Sequence, residues 1–279
     1  MSVSWPAPAK LNLFIHIVGR RPDGYHLLQT VFQFIDLVDE LRIEVRADGL
    51  IRRTAGLASI APEDDLVVRA ARRLKAATGT PLGADIAVTK RIPAGAGLGG
   101  GSSDAATALV ALNALWGTGL GLAELARLGG ELGADVPVFV RGQACWAEGI
   151  GEELTPLTLP EPWYLVVKPP VEVATREIYA APELTRNCPP LTIPGFLAGA
   201  GGNVFTPVVC ARYPLVAEAL RWLGRHAPAR LTGTGACVFA AFGARAEAEW
   251  VKRRVPHGWQ AFVVRGLNRS PLREYLDYY

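Results

Sequence analysis

Along residues 10–18 the chain alternates Leu11, Leu13, Ile15 and Ile17 with Asn12, Phe14, His16 and Val18, a period of two that predicts a β-strand. The turn Arg20-Arg21-Pro22-Asp23-Gly24-Tyr25-His26 follows, and residues 31–37 and 41–47 read as two further strands. The pattern then predicts a helix over residues 66–78, with Asp64 or Asp65 as its cap and Gly79 as its stop. Residues 84–92 read as a strand, 93–101 as a glycine loop and the Ala/Leu-rich segment 102–116 as a helix. Strand, glycine loop and helix follow each other in this order where phosphate sites are built. A further helix over 122–132 stops at Gly133, and Ala134-Asp135-Val136-Pro137 leads into the apolar run 138–140.

The second half has a different texture. Residues 154–170 are proline-rich around one strand at 164–168, after which helices around 175–181, 214–225 and 245–254 alternate with strands near 230–242 and 260–264. A boundary near residue 150 gives a first domain over 1–150 and a second over 151–267, an α+β arrangement of strands covered by helices. The length of 279 residues agrees with about two domains at roughly 150 residues each.

Composition narrows the classes. Half the residues are hydrophobic and a fifth charged, which excludes a disordered or fibrous chain. The longest apolar stretch, 236–244, is half the roughly 18 residues of a membrane span, so no membrane helix is expected. A net charge of +3 without a basic stripe argues against nucleic acid as a partner. Cys145, Cys188, Cys210 and Cys237 form no C-x-x-C pair and face no histidine at zinc spacing, which fits a reducing cytoplasm. The first residues have neither signal-peptide nor transit-peptide character. Arginines outnumber lysines 24 to 5, a hint of a hot or GC-rich source.

The chemistry centres on the glycine loop. Gly95, Gly97 and Gly100 formally satisfy G-x-G-x-x-G, yet the motif begins about 95 residues in, and Glu124, the acid at dinucleotide spacing, falls within a predicted helix. No lysine follows, so it is not a Walker A loop either. Backbone N–H groups and the helix beginning near Ser102 would then hold phosphates, with hydroxyls from Ser102 and Ser103. A surface loop or a close helix-packing turn is the plainer alternative. A second glycine run, 231–241, also leads into an apolar strand; with the first it points to a pocket lined from both domains. Lys10 and Asn12, two apart on one strand, share a face. Locally, Lys10 reads equally as a solvated lysine and Asp135 as a turn cap. A phosphoryl-transfer site employs both, the carboxylate taking the proton of an attacking hydroxyl and the ammonium holding the reactants.

These segments together, residues 8–37, 90–106, 132–139 and 231–239, resemble the GHMP kinases, a family named for galactokinase, homoserine kinase, mevalonate kinase and phosphomevalonate kinase. The resemblance implies a two-domain fold: an N-terminal domain like domain 2 of ribosomal protein S5, a ferredoxin-like C-terminal domain, and residues 268–279 returning to the first. Within the family, Asp23-Gly24-Tyr25-His26 is most similar to the branch acting on 4-diphosphocytidyl-2-C-methyl-D-erythritol, a small substrate carrying a CDP group, in non-mevalonate isoprenoid synthesis. The implied reaction is ATP-dependent phosphorylation of its 2-hydroxyl in a bacterial cytoplasm. Another small-molecule kinase of the family, of homoserine or mevalonate type, and a catalytically silent nucleotide sensor remain as alternatives.

By that resemblance Lys10 and Asp135 are the catalytic pair. Pro93, Ala94, Gly95, Ala96, Gly97, Leu98, Gly99, Gly100, Gly101, Ser102 and Ser103 are the ATP loop, with Lys90 near the nucleotide. Asn12, Tyr25, His26 and Tyr179 fall on the substrate side, the two tyrosines and the histidine around the cytosine. Read locally, the tyrosines are ordinary packing aromatics. Magnesium is expected with ATP, with neither its ligands nor an oligomeric state specified. One departure stands out: where an Asn-Asp pair is expected ahead of a helix, this chain has Asn203-Val204.

Overall fold

The structure, a computed structural model, describes residues 4–57 and 60–276. Strands β1 (Ser4–Arg20) and β2 (His26–Arg46) form a long antiparallel hairpin. Strand β3 (Ile51–Ala55), helix α1 (Leu66–Thr78) and strand β4 (Gly83–Thr89) follow, and β3 and β4 lie parallel, as a helical crossover allows. Helices α2 (Gly100–Leu115), α3 (Leu122–Gly130) and α4 (Val136–Arg141) cover this sheet, and β5 (Cys145–Glu148) and β6 (Glu153–Pro156) extend it from β2. The second half contributes β7 (Trp163–Lys168), helices α5 (Thr175–Ala180), α6 (Ile193–Leu197), α7 (Thr206–Arg212) and α8 (Pro214–Gly224), strands β8 (Ala229–Leu231) and β9 (Val238–Phe242), helix α9 (Arg245–Lys252), strand β10 (Gln260–Leu267) and helix α10 (Leu272–Leu276).

The sheet runs β3-β4-β2-β10-β7-β9-β8, with β1 and β5 also paired to β2. Strand β10 joins the two halves: Gly266 and Leu267 pair with Ile35 and Phe34 of β2, while residues 260–265 pair with β7. Gly266 leaves no room for a side chain at this join, since a Cβ there would lie 2.9 Å from the Tyr164 ring and 3.2 Å from the Gln33 amide. Two large apolar clusters flank this join. One packs α1–α4 on the first sheet and includes Leu272, with Tyr275 against it; the other packs α5, α7, α8 and α9 on β7–β9. A third, containing Leu11, Ile35, Leu98, Val166 and Phe239, fills the seam.

Helix α2 is the keystone of the first half. Residues 103–112 are all buried, as a helix apolar on every side requires, and its first turn lies at the seam. Asp65 caps α1 by accepting from the Val67 N–H at 3.0 Å, and Gly79 closes it in the left-handed conformation at φ +68°.

Several elements differ from the periodicity. The expected strands 31–37 and 41–47 are one strand, because cross-strand partners on β1 and β4 span the polar Asp39-Glu40 step. The run after Asp135 is helical, with Pro137 in the first turn, where a missing N–H costs nothing. Helix α2 begins at Gly100, two residues before Ser102. β5, β6, α6, α7 and α10 are seven residues long or shorter, too short for a period to register.

Candidate active site

A cleft of about 1320 Å³ opens at the seam, lined by the β1–β2 hairpin, the start of α1, the glycine loop, Asp135 and, from the second half, Thr175–Ala180 and Gly233-Thr234. Its floor is the glycine loop, strapped down from both sides. The Lys10 backbone N–H donates to the Leu98 carbonyl at 3.0 Å, while Ala236 and Cys237 donate to the carbonyls of Gly95 and Ala96 at 3.3 and 3.2 Å. The two glycine runs therefore pack against each other. Gly97 explains why side chains are excluded: a Cβ there would sit 2.3 Å from the Thr232 carbonyl oxygen, at a φ of +73°. Gly99 precedes α2 at φ +74°, where a Cβ would lie 2.7 Å from the Phe139 ring and 3.1 Å from Lys10 Cε.

Lys10 is not solvated; it is only 3% exposed. Its Nζ donates to Asn12 Oδ1 at 2.6 Å and to the Gly97 carbonyl at 3.2 Å, lies 3.4 Å from Asp135 Oδ2, and stands 5.4 Å from the centre of the Phe32 ring. Asn12 is equally buried, and its Nδ2 donates to Thr30 Oγ1 at 2.9 Å. The strand alternation that placed Lys10 and Asn12 on one face thus becomes a chain of hydrogen bonds from Thr30 through Asn12 to Lys10. Asp135 sits at the N-cap of α4, yet its side chain makes no capping hydrogen bond. Its carboxylate, 37% exposed, is directed to Lys10 and the cleft.

Lys90 is held between two carboxylates, Asp104 at 2.6 Å and the fully buried Asp39. Asp39 also accepts from the backbone N–H groups of Arg91 and Ile92, at 2.5 and 2.8 Å. Burial lowers the Lys90 pKa, but Asp104 and Asp39 together outweigh it and raise the value. Burial pushes the Asp104 carboxyl up, opposed by Lys90 and assisted by Asp39, and its Oδ1 has no partner.

At the other end, the tight turn closed by Gly24 leaves Tyr25 61% exposed and brings His26 to the start of β2. The Tyr179 ring, on α5, stands 5.3 Å from the His26 ring and 4.9 Å from Phe205. Burial raises the Tyr179 hydroxyl pKa well above its ordinary value. Tyr25, His26 and Tyr179 all line the cleft. So do Pro93, Ala94, Gly95, Ala96, Gly97, Leu98, Gly99, Gly100, Gly101 and Ser102, while Ser103 does not: it is fully buried and its hydroxyl lacks a partner. Ala96 and Leu98 turn their side chains into the seam cluster.

Sequence reasoning missed Asp39 and Arg186, whose partners Lys90 and His26 lie 51 and 160 residues away, and Asp104, which is bonded to Lys90. Asp104 carried a faint signal, an acid two residues beyond the helix start expected at Ser102. At the departure from the family pattern, the Asn203 side chain ties the segment down: Nδ2 donates to the carbonyls of Leu231 and Gly233, and Oδ1 accepts from Phe205 N–H. Val204 packs against the second apolar cluster, where an acid would lose solvent.

The profile described as GHMP kinases N terminal domain matches residues 65–143, and that described as GHMP kinases C terminal matches 197–261. A 4-diphosphocytidyl-2-C-methyl-D-erythritol kinase of Nitrosococcus oceani is 57% identical over 98% of both chains. This chain belongs to the GHMP kinases. The kinase of the same description from Alkalilimnicola ehrlichii is 58% identical over 96% of this chain and 92% of its own. A crystal structure of 4-(cytidine 5'-diphospho)-2C-methyl-D-erythritol kinase superposes with a TM-score of 0.83 at 32% identity, covering 95% of this chain and 99% of the other. The Methanococcus jannaschii mevalonate kinase, at TM-score 0.72 and 16% identity over 96% of this chain and 99% of its own, shares the fold of this GHMP kinase. Among the described residues no helix is long and apolar enough to cross a membrane.

Proposed function

We propose that this chain transfers the γ-phosphoryl group of ATP to the 2-hydroxyl of 4-diphosphocytidyl-2-C-methyl-D-erythritol, in a bacterial cytoplasm. The observation that carries this reading is the Lys10–Asp135 pair, placed between a glycine loop and an aromatic-lined end of the same cleft. Phosphoryl transfer passes through a loose transition state, so the protein acts mainly by positioning and by supplying charge. The Asp135 carboxylate orients the tertiary hydroxyl and takes its proton late in the step. Lys10, held by Asn12 and Gly97, fixes that carboxylate and places positive charge where the transferred group passes.

The backbone N–H groups of the loop and the N-terminus of α2 receive the ATP phosphates. Lys90, already bonded to two carboxylates, serves the nucleotide by orientation and not as a free counter-charge. Magnesium bound with ATP would be held largely by phosphate and water oxygens with one or two protein oxygens, and would neutralise charge on the phosphates. Ser102 and Asp135 are oxygen donors beside the loop that fit this role. Tyr25, His26 and Tyr179 receive the cytosine, and Asn12 acts on the substrate chiefly through Lys10.

The same reading assigns residues 1–150 to the nucleotide and 151–267 to the substrate side. Residues 268–279 return to the first domain, of which 277–279 lie outside the described residues; Leu272 in the first apolar cluster supports this. The test is ADP release with purified protein on three acceptors. Turnover of the CDP-bearing polyol alone, giving a new phosphomonoester by phosphorus NMR, is expected. Turnover of homoserine or mevalonate instead would reassign the substrate, and nucleotide binding without any turnover would make the protein a sensor.

A further inference from the structure

Arg186 has no place in the reaction, yet it is tied into the base-reading end of the cleft more tightly than any residue that lines it. Its Nη2 donates to the carbonyls of Tyr179 and Ala181, at 3.0 and 2.8 Å, and its Nη1 to that of Leu184, at 2.9 Å. A fourth bond, from Nε, reaches out of this loop to His26 Nε2 at 3.1 Å. A guanidinium has donors and no acceptor, so the imidazole nitrogen facing it must present a lone pair. The proton of a neutral His26 is therefore on Nδ1, which has no hydrogen-bond partner among the described residues and belongs to a ring lining the cleft.

We propose that Arg186 is the positioning residue that locks His26 as a neutral imidazole with its proton on Nδ1, giving the base-reading end a donor that persists across the neutral pH range. This rests on the reading of His26 as a cytosine contact. A second proton on the ring would break the bond from Arg186 and set two cations against each other. Two guanidinium groups beside His26 act in that direction, and its other neighbours are aromatic. Arg186 comes from the second domain and Arg20 from β1, the half-buried Tyr179 ring packs beside the imidazole, and Tyr25 precedes it in the chain. Burial first, then Arg186, then Arg20 hold the His26 pKa below its ordinary value. The three carbonyls fixing Arg186 lie at and just beyond α5, so one side chain sets Tyr179 and His26 relative to each other.

The test combines one spectrum of the unaltered protein with two variants. Nitrogen-15 correlation spectra of the imidazoles should show His26 neutral and protonated on Nδ1 at pH 7; a charged ring or the Nε2–H tautomer at that pH would overturn the proposal without any mutation. Calorimetric Kd for the CDP-bearing substrate, measured without ATP, should change less from pH 8 to 6 in the parent than in Arg186→Gln. In Arg186→Gln it should rise about fourfold over that interval, the loss of neutral ring expected for a pKa of about 6.5. Arg186→Lys, which restores charge without the fork of donors, should fall between them. Parallel pH profiles in parent and variants, with a constant offset, would leave Arg186 a structural brace only and sink the proposal. A parent that fails to bind the substrate at any pH would overturn the cytosine reading itself, and this inference with it.

Discussion

The two ends of the cleft are built on opposite principles. At the end we assign to the phosphates the polar groups are buried and mutually bonded: Lys10 and Asn12 are nearly inaccessible, and the glycine loop is held by backbone bonds from β1 and from the second glycine run. At the end we assign to the cytosine Tyr25 is mostly exposed on a hairpin turn, and His26 is half-buried. The first end resembles a core that happens to face a cavity; the second resembles a surface that a ligand completes. A transition state with little covalent assistance rewards preorganised charge. An aromatic contact with a pyrimidine tolerates approximate placement, because stacking is spread over a whole face.

The sharpest way to break the contrast is to disarm the preset end. Asp135→Asn retains the shape while removing the basic charge, and kcat is expected to fall about 10² to 10⁴-fold with little change in either KM. Lys10→Met should cost a similar factor. Because the two side chains are in contact, the double variant should lose far less than the product of the single losses. Steady-state kinetics at saturating ATP and substrate decide it, and a loss of only a few-fold would move the base elsewhere.

The next largest effect should come from the strap beneath the loop. Gly97→Ala places a Cβ against the Thr232 carbonyl and forces a left-handed φ, so the variant should lose stability by several kcal/mol and bind ATP weakly. Gly100, whose nearest neighbour is the Ile92 methyl at 3.0 Å, should be the milder site. Thermal melts with and without ATP distinguish them; equal melting temperatures would deny the strap.

The open end predicts a smaller and more selective loss. Tyr25→Ala should weaken the CDP-bearing substrate by about 1 to 3 kcal/mol and leave ATP affinity unchanged, read by calorimetry with each ligand. Equal loss for both ligands would mean that the turn supports the whole cleft.

The smallest effect concerns Asp104. Burial raises its carboxyl, so the folded protein holds that proton more firmly than the unfolded chain. Its stabilising contribution is complete below the unfolded value of about 4 and is lost as pH rises toward the raised value. Asp104→Asn should therefore gain on the parent in Tm between about pH 5 and pH 8. A constant difference in Tm across that range would show the carboxylate ionised beside Lys90 throughout.

What the sequence made legible follows from range. Lys10 and Asn12 were readable because strand alternation is local, and α1 because its cap and its glycine stop are adjacent to it. The glycine loop was readable as a loop between a strand and a helix from its glycine density and its flanking patterns. Asp39 was not readable: it lay in what looked like a polar break between strands, and only Lys90, Arg91 and Ile92, more than fifty residues on, make its burial tolerable. Arg186 was hidden likewise, because its meaning depends on His26 at a separation of 160 residues. Tyr25 and Tyr179 were identifiable only through family resemblance, since an exposed tyrosine on a turn and a packed one on a short helix have no distinguishing period.

The join made by β10 bears on how the protein comes into being during synthesis. The nucleotide-side sheet receives Gly266 and Leu267 along β2, Leu272 in its apolar cluster and the Tyr275 ring 5.7 Å from Trp5. A ribosome that has released only residues 1–150 has thus delivered a sheet still missing an edge partner and part of its core. The half made first is sealed last, and a nascent chain stalled in the second half would expose its unfinished first half to proteases and chaperones.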